Sequence, residues 1–333
     1  MDGHRVRVKA LAHLEMTRPY TMFHSGLAAF AGVEIASHGQ AAAWRVILAA
    51  VVTACGWEAG LYAGDYYDRE IDARSKPDRA IPSGRVSPRE AFATMVALIA
   101  VGYACALALG LGNLALAVLT TVLGVAYSKT FKDKAILGNF DRGVLGVCAV
   151  VFGALAGGSV AQASVLLLAA LVFFHDSATN LVGAIRDVEG DGAAGCRTAP
   201  VVYGLATAVD IVLSLVVCWV VAGLALAMVL RPGGLSLALL GCTLGVALYV
   251  YIPMWRRRRT LARAQALAAH KSLVVERLLL MCGWIAAYAP AAVALGLLVA
   301  TCALTVSSQA LLRDRYERQH ILRPPLGKEQ VAR

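Results

Sequence analysis

Residues 42–63 read AAWRVILAAVVTACGWEAGLYA, and residues 64–85 read GDYYDREIDARSKPDRAIPSGR. A nearly uncharged run ends in four Asp and one Glu, with four Arg and one Lys set among and after them. A helix needs about 17–25 predominantly apolar residues to cross the hydrocarbon core of a bilayer. Only helices and closed barrels satisfy their backbone there, and the run lacks the alternation of a barrel strand. The junction therefore reads as a membrane helix emerging at a charged surface.

The same pattern recurs along the chain. The mean hydropathy is +0.67. Only 16% of the 333 residues are charged, against about 25% in a soluble domain. Apolar runs fall at about 20–36, 43–63, 90–110, 112–127, 140–158, 164–186, 207–230, 235–255 and 278–306. The expected fold is all-α: a polytopic membrane protein with nine transmembrane helices around a central cavity open to the charged loops. A single transmembrane domain over 1–306 is expected, followed by a flexible basic tail over 307–333. No short apolar segment with a cleavage site stands at the N-terminus, so no cleaved signal peptide is expected.

Charge sets the topology. Lys and Arg gather in the loops after spans two, four, six and eight, while the alternate connections are short and nearly uncharged. The positive-inside rule places the charged loops in the cytoplasm. Nine spans then put the basic tail on the opposite face, and Pro290 is expected to kink a long last span. Residues 260–277 alternate basic and apolar residues at helical spacing, which predicts a helix lying on the membrane surface. The net charge of +10 is attributed to this bias and to anionic lipid headgroups, not to nucleic acid. Seven of the eight Cys lie in apolar runs and no CxxC occurs, so they read as small buried residues.

Asp65, Asp68 and Asp72 stand at i, i+3 and i+7. If the second span continues past Gly64, the three carboxylates share one helix face, and Tyr62 and Glu58 extend that face into the membrane. A second cluster, Asp187 and Asp191 at i, i+4, ends the sixth span. Upstream, His175, Asp176 and Asn180 carry polarity back into the apolar run. Like charges on one face repel, and a cation between them relieves the cost. Paired carboxylates are hard ligands that suit Mg²⁺, which binds a few of them together with substrate phosphates. Arg79, Lys129, Lys132, Arg142, Arg186 and Arg197 would neutralise the remaining charge of a diphosphate. A solvated charged loop is the bland alternative, and two clusters at two span ends on one face argue against it. Acidic residues inside a span, such as Asp176 and Glu58, are costly and mark function.

GDYYDREIDARSKPDRAIPSGRVS resembles the first Asp-rich motif, NDxxDxxxD, of the UbiA-type intramembrane prenyltransferases, with the basic PDRP segment that follows it. RDVEGDGAAGCRT resembles their second motif, and YSKTFKDKAILGN their Tyr/Lys loop. The resemblance covers about residues 17–306. It implies Mg²⁺ held by Asp65, Asp68, Asp72, Asp187 and Asp191, with an isoprenyl diphosphate bound by Arg79 and Lys132. It also implies ionisation to an allylic cation, captured by an aromatic or glycerol-lipid acceptor at the bilayer. Glu58, Tyr62, His175, Asp176 and Asn180 are then candidates for the acceptor or for steering the cation. Two positions depart from the pattern: Gly64 replaces the leading Asn, and Ala80 the last Pro of PDRP. The motifs look most like the branch containing geranylgeranylglyceryl phosphate and homogentisate prenyltransferases. The Ala- and Arg-rich composition suggests a high-GC bacterium, hence a bacterial cytoplasmic membrane. A terpene cyclase of the same fold is the alternative, since ionisation is common to both, and a non-enzymatic scaffold or transporter would need neither Asp cluster.

Overall fold

The computed structural model describes residues 2–131 and 133–313, and every regular element among them is helical. In chain order these are α1 (Asp2–Thr17), α2 (Phe23–Ser37), α3 (Ala43–Tyr67), α4 (Arg69–Ser75), α5 (Pro88–Leu109), α6 (Leu111–Ala126) and α7 (Ile136–Gly157). There follow α8 (Ala163–Ala193), α9 (Ala199–Tyr203), α10 (Leu205–Leu230), α11 (Gly234–Arg256), α12 (Arg263–Ile285) and α13 (Ala291–Ser308). The boundaries follow local chemistry. At α5, Ser87 and Glu90 form a reciprocal capping box ahead of Pro88 in the first turn, where its missing N–H costs nothing.

Among the described residues eight helices are long and apolar enough to cross a bilayer. Their outward faces carry large apolar side chains, among them Val122, Val217, Leu224, Met228 and Val299. In water such a surface would be a liability; in lipid it is the required solvent match. α8 is the most enclosed span, 67% buried, and forms the axis of the bundle against α7, α10 and α12.

The expected count of nine is not confirmed, and the two terminal spans differ from expectation. α2 occupies the first predicted span but has only 15 residues and is almost wholly buried, wedged between α7 and α3. Its partner α7 presents glycines: a Cβ on Gly153 would strike the Ala29 backbone, and one on Gly157 the Val33 backbone. Small residues let the two backbones touch, the usual device where lipid removes the hydrophobic drive between helices.

The ninth predicted span, 278–306, is two helices. The chain breaks at 286–290, and Pro290 becomes the N-cap of α13 because it cannot continue the preceding helix. Gln309 Nε2 donates to the Lys271 carbonyl at 3.5 Å, so α13 runs back along α12 toward the face where α12 begins. The C-terminal end of α13 therefore lies on the same side of the bundle as the start of α12. Residues 307–313 continue helically, and residues 314–333 of the expected tail lie outside the described residues. The segment 260–277 is also corrected: it is the first part of α12, with Ala266, Ala269, Leu273, Glu276 and Arg277 buried in the bundle.

Candidate active site

The first motif folds nearly as its spacing predicts. α3 passes Gly64 and ends at Tyr67; Asp68 sits at the junction, and α4 carries Asp72. Asp65 and Asp72 are buried and meet at one guanidinium: Arg79 Nη1 lies 3.3 Å from Asp65 and 2.5 Å from Asp72. Arg18, from the turn before α2, also pairs with Asp65. That carboxylate, with desolvation opposing it and Tyr20, Asp72 and Asp68 assisting, raises the Arg18 pKa above its ordinary value. Sequence reasoning missed Arg18, because an arginine just outside the first span reads as ordinary positive-inside charge.

α1 is strapped across this corner. His13 Nδ1 and the Tyr62 hydroxyl are 2.8 Å apart, Arg85 and Glu15 2.5 Å, and Lys9 pairs with Glu90. Tyr62 is thereby buried beneath α1. Glu58 lies one turn deeper, with neither carboxylate oxygen partnered among the described residues.

The second motif ends α8. Asp187 takes both arms of the Arg186 fork, one of them at 2.8 Å, and Asp191 accepts from Thr198 Oγ1 at 3.1 Å. Lys76, just after α4, and Arg263, at the start of α12, are within electrostatic reach of Asp187. The loop following the first motif therefore faces the second. Lys129 lies over the Tyr67 ring at 4.8 Å, and Arg142 over Trp57 at 4.4 Å and Tyr127 at 5.5 Å. These cations form a third wall. Arg197 is exposed; its backbone ties the loops together, donating to Asp133 and accepting from Ala135 N–H at 2.8 Å. Lys132 lies outside the described residues.

The buried residues of α8 belong to a different assembly. Asp176 Oδ1 is 2.8 Å from His24 Nε2 and 3.5 Å from His175 Nδ1, while His175 Nε2 is 2.8 Å from Glu276 of α12. Arg277 is buried within reach of Asp176 and Glu276. His175 thus stands between two carboxylates, one at each ring nitrogen, and Arg277 adds a guanidinium near both. Interleaving carboxylates with basic groups is how a buried polar cluster survives in lipid. Asn180 lies outside this cluster, accepting from Asn139 at 2.8 Å. His24, Glu276 and Arg277 were not foreseen. The adjacent Glu-Arg pair was a usable signal, but the arginine run before it made the segment read as a surface helix.

The motif carboxylates suit Mg²⁺. They are hard oxygen donors gathered in pairs, and Arg79 already occupies the point between Asp65 and Asp72 where a cation is shared. Among the described residues no three of them form a closed cage. This matches an ion that takes one or two carboxylates and fills its remaining positions with water and phosphate oxygens.

These features define a polytopic helical membrane protein whose paired acidic motifs and cationic walls share one face. Residues 25–274 match the UbiA prenyltransferase family. The chain belongs to that family: it is an integral membrane prenyltransferase. It is 37% identical over 193 residues to the digeranylgeranylglyceryl phosphate synthase of Methanopyrus kandleri, spanning 58% of this chain and 70% of that protein. Its fold matches that of a solved digeranylgeranylglyceryl phosphate synthase with a TM-score of 0.65 at 24% identity, over 84% of this chain and 98% of the other. A UbiA homologue from Archaeoglobus fulgidus bound to DMAPP and Mg²⁺ matches with a TM-score of 0.62 at 18% identity, over 81% and 98%.

Proposed function

We propose that the protein transfers a long prenyl group, of geranylgeranyl type, from its diphosphate to the hydroxyl of a glycerol-phosphate lipid within the bilayer, with Mg²⁺ as cofactor. The observation that carries this reading is the meeting of two aspartate pairs and their arginines at the ends of α3–α4 and α8. The relatives named for the same chemistry favour transfer over cyclisation.

Asp65, Asp68, Asp72, Asp187 and Asp191 would hold the metal. When bound, Mg²⁺ supplies positive charge to the diphosphate leaving group. Arg79, paired with Asp65 and Asp72, and Arg18, paired with Asp65, are the guanidiniums placed to bind diphosphate oxygens and would do so were those carboxylates engaged by Mg²⁺. Arg186, Lys129 and Arg142 close the wall around it, and Lys132 belongs to the same loop. Exposed Arg197 contributes long-range charge. The apolar bundle below excludes water from the allylic cation. Glu58, with both carboxylate oxygens unpartnered among the described residues, is the α3 group placed to steer the cation, Tyr62 supports that helix from beneath α1, and Asp176 with His175 lies deeper. Asn180 orients the neighbouring wall through Asn139.

The test uses the full chain in nanodiscs with Mg²⁺, geranylgeranyl diphosphate and geranylgeranylglyceryl phosphate, with products read by mass spectrometry. The expected product is the twofold-prenylated glyceryl phosphate, absent with Asp65→Asn and Asp187→Asn. A cyclic hydrocarbon formed without any acceptor would establish a cyclase instead. Turnover only with an aromatic acceptor would keep the transfer and replace the glycerol lipid.

A further inference from the structure

A small cavity lies between α2, α3, α7 and α8, beneath the motif face. Its volume is about 30 Å³, room for a single hydroxyl group or water. Ser25, Trp57, Leu145 and Gly146 line it together with His24 and Asp176. Trp57 is eight residues before Asp65 on α3, or about 12 Å along the helix axis at 1.5 Å per residue. The cavity therefore lies about two helical turns below the aspartates, on the side from which an acceptor hydroxyl would meet the reacting carbon.

The His24 ring is 2% exposed. Its Nε2 faces the Asp176 carboxylate, which fixes the proton on Nε2 and leaves a lone pair on Nδ1. Nδ1 is buried without a partner among the described residues. Leaving a buried polar atom unsatisfied is costly, so its persistence points to a ligand that completes it. Asp176 is held in turn: His175 faces it from its own helix, and Glu276 anchors His175 from α12. On the other side the Asp176 carboxylate lies against the bare backbone of Gly146, where a Cβ would collide with it. A carboxylate that orients an imidazole whose second nitrogen is open is the arrangement of a general base.

We propose that His24 is the base of the prenyl transfer, taking the proton that the acceptor hydroxyl loses. The proposal rests on the function given above. The C1–O bond of the prenyl diphosphate breaks with its electron pair leaving on diphosphate. The acceptor oxygen forms the new C1–O ether bond, and its O–H bond breaks toward oxygen as the proton passes to His24 Nδ1. Asp176 stays ionised and stabilises the imidazolium; the proton then leaves to water or diphosphate before the next turnover. From α8 His24 meets Asp176 and His175, and from α12 it meets Arg277. α3 and α7 present Trp57, Leu145 and Gly146 around the cavity.

The test compares wild type, His24→Asn and His24→Ala in the nanodisc assay with geranylgeranyl diphosphate and geranylgeranylglyceryl phosphate. Both variants should lose about 10²–10⁴-fold in kcat, the range for a positioned base, while KM for the prenyl diphosphate stays near wild type. The wild-type kcat should fall at low pH as His24 gains its second proton, and this acid limb should vanish in His24→Asn. Added imidazole should restore part of the activity of His24→Ala. Wild-type kcat in either variant, or a loss that leaves the acid limb in place and that imidazole does not rescue, overturns the proposal. If His24→Ala does not fold, the pH profile of His24→Asn decides alone. A wild type inactive with every acceptor overturns the proposed function and the base with it, whereas an active wild type matched by its variants overturns the base only.

Discussion

The motif face and the buried His24–Asp176–His175–Glu276 chain are both built from carboxylates and cations, yet they are assembled differently. On the motif face most partners are close in sequence: Arg79 reaches back 7 residues to Asp72 and 14 to Asp65, and Arg186 adjoins Asp187, while Arg18 alone comes from 47 residues before Asp65. In the buried chain His24 and Asp176 are 152 residues apart, and His175 and Glu276 are 101 apart. The face is partly wetted and its arginines can exchange one anion for another. The interior offers at most the one water-sized cavity beside His24, so its charges must be paired in place. A face of that kind suits chemistry that loads and releases a diphosphate. The interior suits a fixed orientation, and it carries structural cost if broken.

That contrast can be attacked directly. Asp65→Asn and Asp187→Asn should each lower kcat by about 10²–10³-fold, the scale of losing one electrostatic stabiliser of the transition state. Their thermal melting in detergent should stay close to wild type. A large drop in melting temperature would show that the motif is also structural. Glu276→Leu should do the reverse and destabilise the fold by about 3–5 kcal/mol, because His175 and Arg277 lose a buried counter-charge. An unchanged melting curve would mean that water reaches the chain.

Gly153→Ala should cost about 1–3 kcal/mol by forcing α2 off α7, with kcat falling only as α2 shifts His24. The smallest effect belongs to Ser87→Ala. It removes the α5 cap for about 1 kcal/mol of stability and should leave turnover intact, although the cap borders the motif loop. Loss of activity there would mean that the loop's path depends on that one hydroxyl.

Legibility follows the same division. The aspartate clusters could be read from the chain because helical spacing places i, i+3 and i+7 on one face. Seven of the eight long apolar helices among the described residues could be read because a bilayer demands length and apolarity of each segment separately. The last span was misjudged for a related reason. Hydropathy averaged over 278–306 does not register a reversal at Pro290, nor that the charges of α12 find partners inside the bundle. α2 was anticipated as a span, and its burial and short length come from the glycine contact with α7.

The sequence by itself determined the environment, the helical class and the two acidic motifs, since each depends on residues within a few turns of one another. Only the tertiary structure decided that α13 folds back along α12, that Arg18 shares Asp65, and that His24 meets Asp176. These depend on which helix lies beside which. Packing sets that neighbourhood through contacts between residues far apart in the chain, and no local spacing encodes it.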